Sequence, residues 1–193
     1  MSSVTIRDVV ASDLSSISSL YASFVSGSTS TWAYPEEPLP DFPALHASCA
    51  ARGLPWLVAE DGASALAGYA YVAPFRTRAG WRFVGEHSIY VAPAWQRRGV
   101  GAALLARLLA RARAAPLAAL VGVVSSHPAS GAGAASLALH ERAGFVRAGG
   151  FPRVGVKAGL FLDCELVTFA LRDVAEVAAE EAAAAAGARV HTN

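Results

Sequence analysis

Apolar runs at two-residue spacing and apolar stripes at helical spacing divide the chain into elements. Val4 to Arg7 reads as a short strand, and Ser12 or Asp13 is placed to cap a helix carrying Leu14, Ile17, Leu20, Tyr21 and Phe24, which should stop near Gly27. The polar, proline-bearing stretch from Ser26 to Pro40 is a loop, and Asp41 to Arg52 a helix with Phe42, Leu45 and Cys49 on one face and Gly53 ending it. Trp56 to Glu60 and Leu66 to Val72, joined through Asp61-Gly62, form a hairpin. A connection holding Pro74, Arg76, Arg78 and Gly80 leads to a strand from Phe83 to Val91.

A glycine-bearing turn, Gln96 to Gly101, then opens a helix that runs to Ala115. Its stripe is Leu104, Leu105, Leu108 and Leu109, with Arg107, Arg111 and Arg113 toward solvent. Pro116 interrupts the pattern, and the near-continuous apolar run Leu117 to Val124 suits a strand covered on both faces. Ala134 to Ala143 is a short helix closed by Gly144, and Phe145 to Ala148 with Leu166 to Leu171 supply the last strands. The order β-α-α-β-β-β-α-β-α-β-β predicts one mixed α/β domain over residues 1–172, with a central sheet flanked by helices. The Ala/Glu-rich remainder, residues 173–193, favours helix but has few large apolar side chains, so it reads as a frayed or disordered extension.

Composition narrows the function classes. With 16 basic and 15 acidic side chains the net charge is +1, which gives no electrostatic case for nucleic acid or a membrane surface. The longest uncharged apolar stretch, Ala114 to Val124, is broken by Pro116 and too short to span a bilayer, and the N-terminus lacks a signal-like apolar core. Cys49 and Cys164 fit no metal spacing; two reduced thiols in a cytoplasmic protein is the reading, with no metal expected.

Gln96-Arg97-Arg98-Gly99-Val100-Gly101 carries the first chemical signal. Glycine allows positive φ and leaves no Cβ, so several N–H groups can converge on one anion, and the helix N-terminus adds its dipole. A Walker loop would need Lys-Ser/Thr where Ala102-Ala103 stand, and a dinucleotide fingerprint would need a glycine where Leu104 stands. The remaining pattern, Q/R-x-x-G-x-G/A, resembles the pyrophosphate loop of the GNAT superfamily of N-acetyltransferases; taken alone it is also compatible with an ordinary strand-to-helix turn. Ten residues upstream, Glu86 interrupts an apolar strand. There it either faces water or is desolvated and shifted upward in pKa, as a base for an amine would need.

Six ordered blocks extend the resemblance. Gly27 to Trp32, Arg52 to Pro55, Gly68 to Ala70, Pro74 to Arg78, Glu86 to Val91 and Leu139 to Phe145 look like the phosphinothricin/methionine-sulfoximine N-acetyltransferase family, in family order from about Val4 to Leu171. The resemblance implies the acyl-CoA N-acyltransferase (GNAT) fold, acetyl-CoA as donor, a small-molecule amine as acceptor and a homodimer. It implies Glu86 as general base and His140 near the thioester, able to polarise its carbonyl or stabilise the tetrahedral intermediate. Backbone groups of Ile89, Tyr90 and Val91 would pair with the pantetheine arm, and the N–H groups of Arg97 to Ala102 would hold the pyrophosphate, with Gly133 and Ser136 facing the cofactor from the next helix. Arg76 and Arg78 would form a clamp for the acceptor's carboxylate and phosphinate or sulfoximine, provided their segment is extended, with Trp81 and Phe83 as pocket walls.

The sequence departs from the family at two points: Gly133 stands where an Asn is usual, and the loop Ser125 to Gly133 is longer. Two other readings stay open. One is a GNAT enzyme acting on a protein N-terminus or a polyamine; the other is a non-catalytic acyl-CoA-binding regulatory module.

Overall fold

The computed structural model describes residues 4–190. Seven strands form one sheet in the order β1-β2-β3-β4-β5-β7-β6, where β1 is Thr5–Asp8, β2 Trp56–Glu60, β3 Leu66–Pro74, β4 Val84–Val91, β5 Ala119–Ser126, β6 Val146–Lys157 and β7 Leu160–Ala170. Every neighbouring pair is antiparallel except β4 and β5. That parallel pair needs a crossover, supplied by the helix α3 (Val100–Ala112), and its ladder covers only Val84 to Glu86 against Ala119 to Val121. Beyond Glu86 the two strands part.

The helices α1 (Leu14–Gly27) and α2 (Phe42–Ala51) cover one face of the sheet, and α3 covers the other. On the first face Tyr69, Tyr71 and Tyr90 stack in a row and meet Tyr21, Phe42 and Trp56 edge-on or tilted. On the second, the leucines Leu104, Leu105 and Leu108 of α3 are fully buried. Gly68 permits this approach, since a Cβ there would lie 2.7 Å from the Tyr90 carbonyl and 3.3 Å from Leu104. The fourth helix, α4 (Ala134–Arg142), packs beside β5 and β6.

Several expectations shift. Neither Ser12 nor Asp13 caps α1; a 3₁₀ turn, Ala11–Asp13, runs straight into it. Asp13 instead accepts the Val10 N–H and pairs with Arg7, whose guanidinium also reaches Glu60 and holds the Asp13 carboxyl below its usual range. At α2, Asp41 is the cap rather than the first helical residue, accepting from Ala44 N at 2.9 Å. The strand expected from Leu117 begins at Ala119, because the turn after Pro116 takes up Leu117 and Ala118, both still buried.

The final hairpin is far longer than the short segments read from sequence. Gly149, Gly150 and Pro152 mask β6 as a strand, yet Gly149 and Pro152 fall where its register against β7 shifts, between Arg147 and Gly149 and between Phe151 and Gly155, and Gly150 pairs regularly with Glu165 between the two. As an edge strand with nearly every side chain exposed, β6 has no apolar alternation to read. Gly155 matters sterically: its bare Cα lies under the ring of Trp32, which anchors the loop after α1 on this edge.

The C-terminal extension is helical over α5 (Val174–Val190), and its first turns are docked rather than frayed. Val177 is 1 % exposed and packs with Phe83 and Ala118. Arg82 pairs with Glu181 at 2.8 Å and Arg172 with Glu180 at 3.0 Å. Residues 191–193 lie outside the described residues. A Val177→Asp variant is expected to undock the helix and lower stability by about 1.5–3 kcal/mol, the burial of one valine. A thermal or urea melt reads this, and an unchanged midpoint would show that α5 is dispensable.

Candidate active site

The parting of β4 and β5 leaves a cleft through the sheet, with a cavity of about 470 Å³. Its walls are the second half of β4, the glycine turn, β5 from Gly122 to Ser125 and the first turns of α4. Strand alternation decides which backbone groups face it. The Ala92 N–H bonds the Ala67 carbonyl of β3, so Tyr90 turns its own groups toward β3 while Ile89 and Val91 turn theirs to the cleft. The Val91 carbonyl is taken by the side-chain amide of Gln96 at 3.0 Å. The free edge is therefore the N–H and C=O of Ile89 and the N–H of Val91. Tyr90, expected among the backbone partners, contributes only wall.

At the mouth, the chain from Arg97 to Ala102 forms the anion cradle. Gly99 has φ +85° and caps α3, and Arg97 itself sits at φ +59°. Among the described residues, the N–H groups from Arg97 to Ala102 have no backbone acceptor. They stand at a helix N-terminus, where partial positive charge already accumulates. Arg97 and Arg142 line the same opening, while Arg98 stacks on Trp95 with 5.4 Å between guanidinium carbon and ring centroid. Val100 is buried in the core, so its role in the turn is confined to its backbone. These features fit a long donor with a diphosphate at one end and an amide-bearing arm: N–H groups for the charge, a strand edge for the arm, and room for both.

Gly133 faces the cradle from the N-terminus of α4, with φ +80°. A Cβ there would lie 2.4 Å from the Ser125 carbonyl and 2.8 Å from Ser126 Cβ. A glycine at this position is thus a steric requirement of the Ser125 to Gly133 loop as it folds in this chain. His127 of that loop bonds locally to Ser130 and stays outside the cleft.

Glu86 lies where the β4–β5 ladder ends, its side chain half-buried. Burial raises its carboxyl above the ordinary glutamate range, and the Arg76 guanidinium partly opposes this. Ser88, two residues on, and Tyr71, opposite Ser88 in β3, share its face of the sheet. Arg76 and Arg78 are both exposed, on an irregular segment rather than the extended one the clamp assumed. Arg76 rests over Phe75 at 4.6 Å, and among the described residues neither arginine is ion-paired. Trp81 is 44 % exposed and meets Phe75 edge-on. Phe83 does not reach the cleft: it is 8 % exposed in the cluster with Ala118 and Val177, so it is core beneath α5 rather than a pocket wall.

His140 lines the cleft but does not offer a nitrogen to it. Its Nδ1 lies 2.7 Å from the Ser136 carbonyl and its Nε2 2.7 Å from Nε2 of His87. This corrects the expectation that His140 polarises a thioester directly. Its partner His87 is not among the residues singled out from sequence; it sits in the Glu86 to Val91 block, and strand alternation alone places it on the face opposite Glu86. Among the described residues, no group of three or more His, Cys, Asp or Glu could hold a metal ion.

The pattern of the acetyltransferase (GNAT) family matches residues 17–145. The chain belongs to that family. A phosphinothricin N-acetyltransferase from Alcaligenes faecalis is 41% identical over 167 residues, covering 84% of this chain and 80% of the relative. An L-methionine sulfoximine/L-methionine sulfone acetyltransferase from Pseudomonas paraeruginosa is 37% identical over 161 residues, covering 83% and 91%. The crystal structure of a GNAT superfamily phosphinothricin acetyltransferase from Sinorhizobium meliloti in complex with acetyl-CoA superposes with a TM-score of 0.77 at 35% identity, covering 88% of this chain and 89% of that one. As a member of this family the chain is an acetyl-CoA-dependent acetyltransferase, and the expected fold and donor class both hold.

Because Gly133 has neither the dihedral angles nor the space for a side chain, a Gly133→Asn variant is expected to lose about 1–3 kcal/mol of stability and to bind CoA more weakly. Melting curves and CoA titration check this; a variant equal to wild type in both would mean that the loop re-forms freely.

Proposed function

We propose that the protein transfers acetyl from acetyl-CoA to the amino group of a small amino acid or close analogue, of the phosphinothricin or methionine sulfoximine type, in one direct step with Glu86 as general base. The supporting observation is the placement of Glu86: a half-buried carboxylate with a raised pKa at the point where the sheet opens. An ammonium has no lone pair, so the acceptor must lose a proton before it can attack. Glu86 takes that proton, directly or through one water. A carboxylate left fully in water would be too weak a base near neutral pH, and desolvation corrects this.

Bound acetyl-CoA supplies an activated acetyl group. The N–H groups of Arg97 to Ala102 hold its diphosphate, and the free edge at Ile89 and Val91 orients its arm. On the other side of β4, the exposed guanidinium groups of Arg76 and Arg78 meet the acceptor's carboxylate and its second anionic or polar group. Two cations at this place disfavour a polyamine. Neither cysteine acts as a nucleophile: burial raises both thiols, Cys49 to about 11. Both are unpaired, in keeping with a cytoplasmic protein. The exposed Val146, Phe151, Val154 and Phe161 of the β6–β7 hairpin suit the expected homodimer.

Glu86→Gln is expected to lower kcat by about 10²–10⁴-fold while leaving the KM for acetyl-CoA near wild type, as read by thiol release with an amino-acid panel. Wild-type turnover in that variant would remove Glu86 from the mechanism.

The pH profile carries a sign. Glu86 works only when deprotonated and its pKa is raised, so the acid limb of kcat/KM should fall at higher pH than an ordinary glutamate would give. Arg76 lowers that pKa, so Arg76→Gln should move the limb further up. A limb that stays in place, or moves down, contradicts the assignment.

A further inference from the structure

The ring nitrogens of His87 and His140 have more hydrogen-bonding demands than two neutral rings can meet. Nδ1 of His87 lies 3.0 Å from the Val121 carbonyl, and Nδ1 of His140 lies 2.7 Å from that of Ser136. A carbonyl oxygen only accepts, so each Nδ1 carries a hydrogen. The two Nε2 atoms are 2.7 Å apart, where facing lone pairs repel, so one further hydrogen lies between them. Three hydrogens on four nitrogens make one neutral imidazole and one imidazolium.

We propose that His87 and His140 share one proton as a singly charged pair that props β4 away from β5 and fixes α4 along the donor cleft, making His87 a positioning residue for acetyl-CoA. Each bond has a structural consequence. Val121 is the last β5 residue paired with β4, and a side chain takes its carbonyl where the backbone ladder stops. Gly122 leaves room for the ring: a Cβ there would lie 2.7 Å from His87 Cε1. The Nε2 contact ties β4 to α4, whose first turn carries Ser136 and begins at Gly133, both on the cleft. Phe145 closes the far side, 4.9 Å from His87 and 5.1 Å from His140 between ring centroids.

The surroundings decide whether such a charge is tolerable. Each ring is 5 % exposed; burial lowers the pKa of each, and burial together with the neighbouring His140 takes that of His87 down to about 3. The division of one proton between two rings whose Nε2 atoms lie 2.7 Å apart opposes that cost. The charged groups on the packed elements do not cancel it. Arg97 of the glycine turn and Arg142 of α4 are cationic and line the same cleft, and Glu141 of α4 pairs with Arg147. Glu86 projects from the opposite face of β4. On β7, Asp163 accepts the Arg153 N–H and Glu165 lies beside Gly150. A polyanionic donor in this cleft therefore meets a cationic wall, and by linkage its binding and the pair's protonation favour each other.

The positioning role rests on the reading of this cleft as the donor site, but the shared proton does not. Long-range ¹H–¹⁵N spectra of the histidine rings, recorded on the ligand-free protein near neutral pH, test the pair alone. The expected result is protonated Nδ1 in both rings, both Nε2 at intermediate shift, and one far-downfield exchangeable proton that vanishes in His87→Gln and in His140→Gln. Two ordinary neutral rings, each with one plainly unprotonated nitrogen, would overturn the proposal. For the positioning role, His87→Phe should raise the KM for acetyl-CoA about tenfold, the size of one lost hydrogen bond to a charged group, with kcat changed far less and partial recovery in His87→Gln. An unchanged KM in a folded His87→Phe protein would refute it.

Discussion

Everything at the site depends on two parallel strands that pair for three residues and then separate. While β4 and β5 are bonded, from Val84 to Glu86, the sheet is continuous and its faces can be covered by helices in the ordinary way. Once they diverge, backbone groups of β4 lose their strand partners and face the cleft. A donor with an amide-bearing arm would supply partners for them. The same divergence sets the position of Glu86, whose half-buried carboxyl stands at the last paired position and is raised by desolvation.

Charge is distributed accordingly. Unpaired N–H groups, a helix terminus, Arg97 and Arg142 surround the donor's side of the opening, whereas Glu86, Ser88 and Tyr71 occupy the opposite face of β4 with Arg76 nearby. Strand alternation makes this division automatic: adjacent residues Glu86 and His87 point to opposite faces, so a single-residue step along the sequence separates the Glu86 side of the strand from the cleft side.

Much of this was legible in the sequence. The glycine turn, the apolar strand broken by Glu86 and the leucine stripe of α3 follow from local patterns, and the order of eleven elements emerges from them. What was illegible depends on partners distant in the chain. The β6–β7 hairpin hides behind two glycines and a proline, of which Gly149 and Pro152 sit at bulges, and Phe83 belongs to the core only because Val177, 94 positions later, covers it. That Gly133 has no room for a side chain follows only from the proximity of Ser125 in the fold. The pairing of His87 with His140 spans 53 residues and leaves no periodic trace.

The central claim, that the opening between β4 and β5 is where acetyl-CoA binds, is tested most directly by amide-resolved hydrogen exchange with and without CoA. The account predicts new protection at Ile89, Val91 and the N–H groups of Arg97 to Ala102, with little change across β1 and β2. Protection confined to other parts of the chain, or none at the glycine turn at saturating CoA, would contradict it.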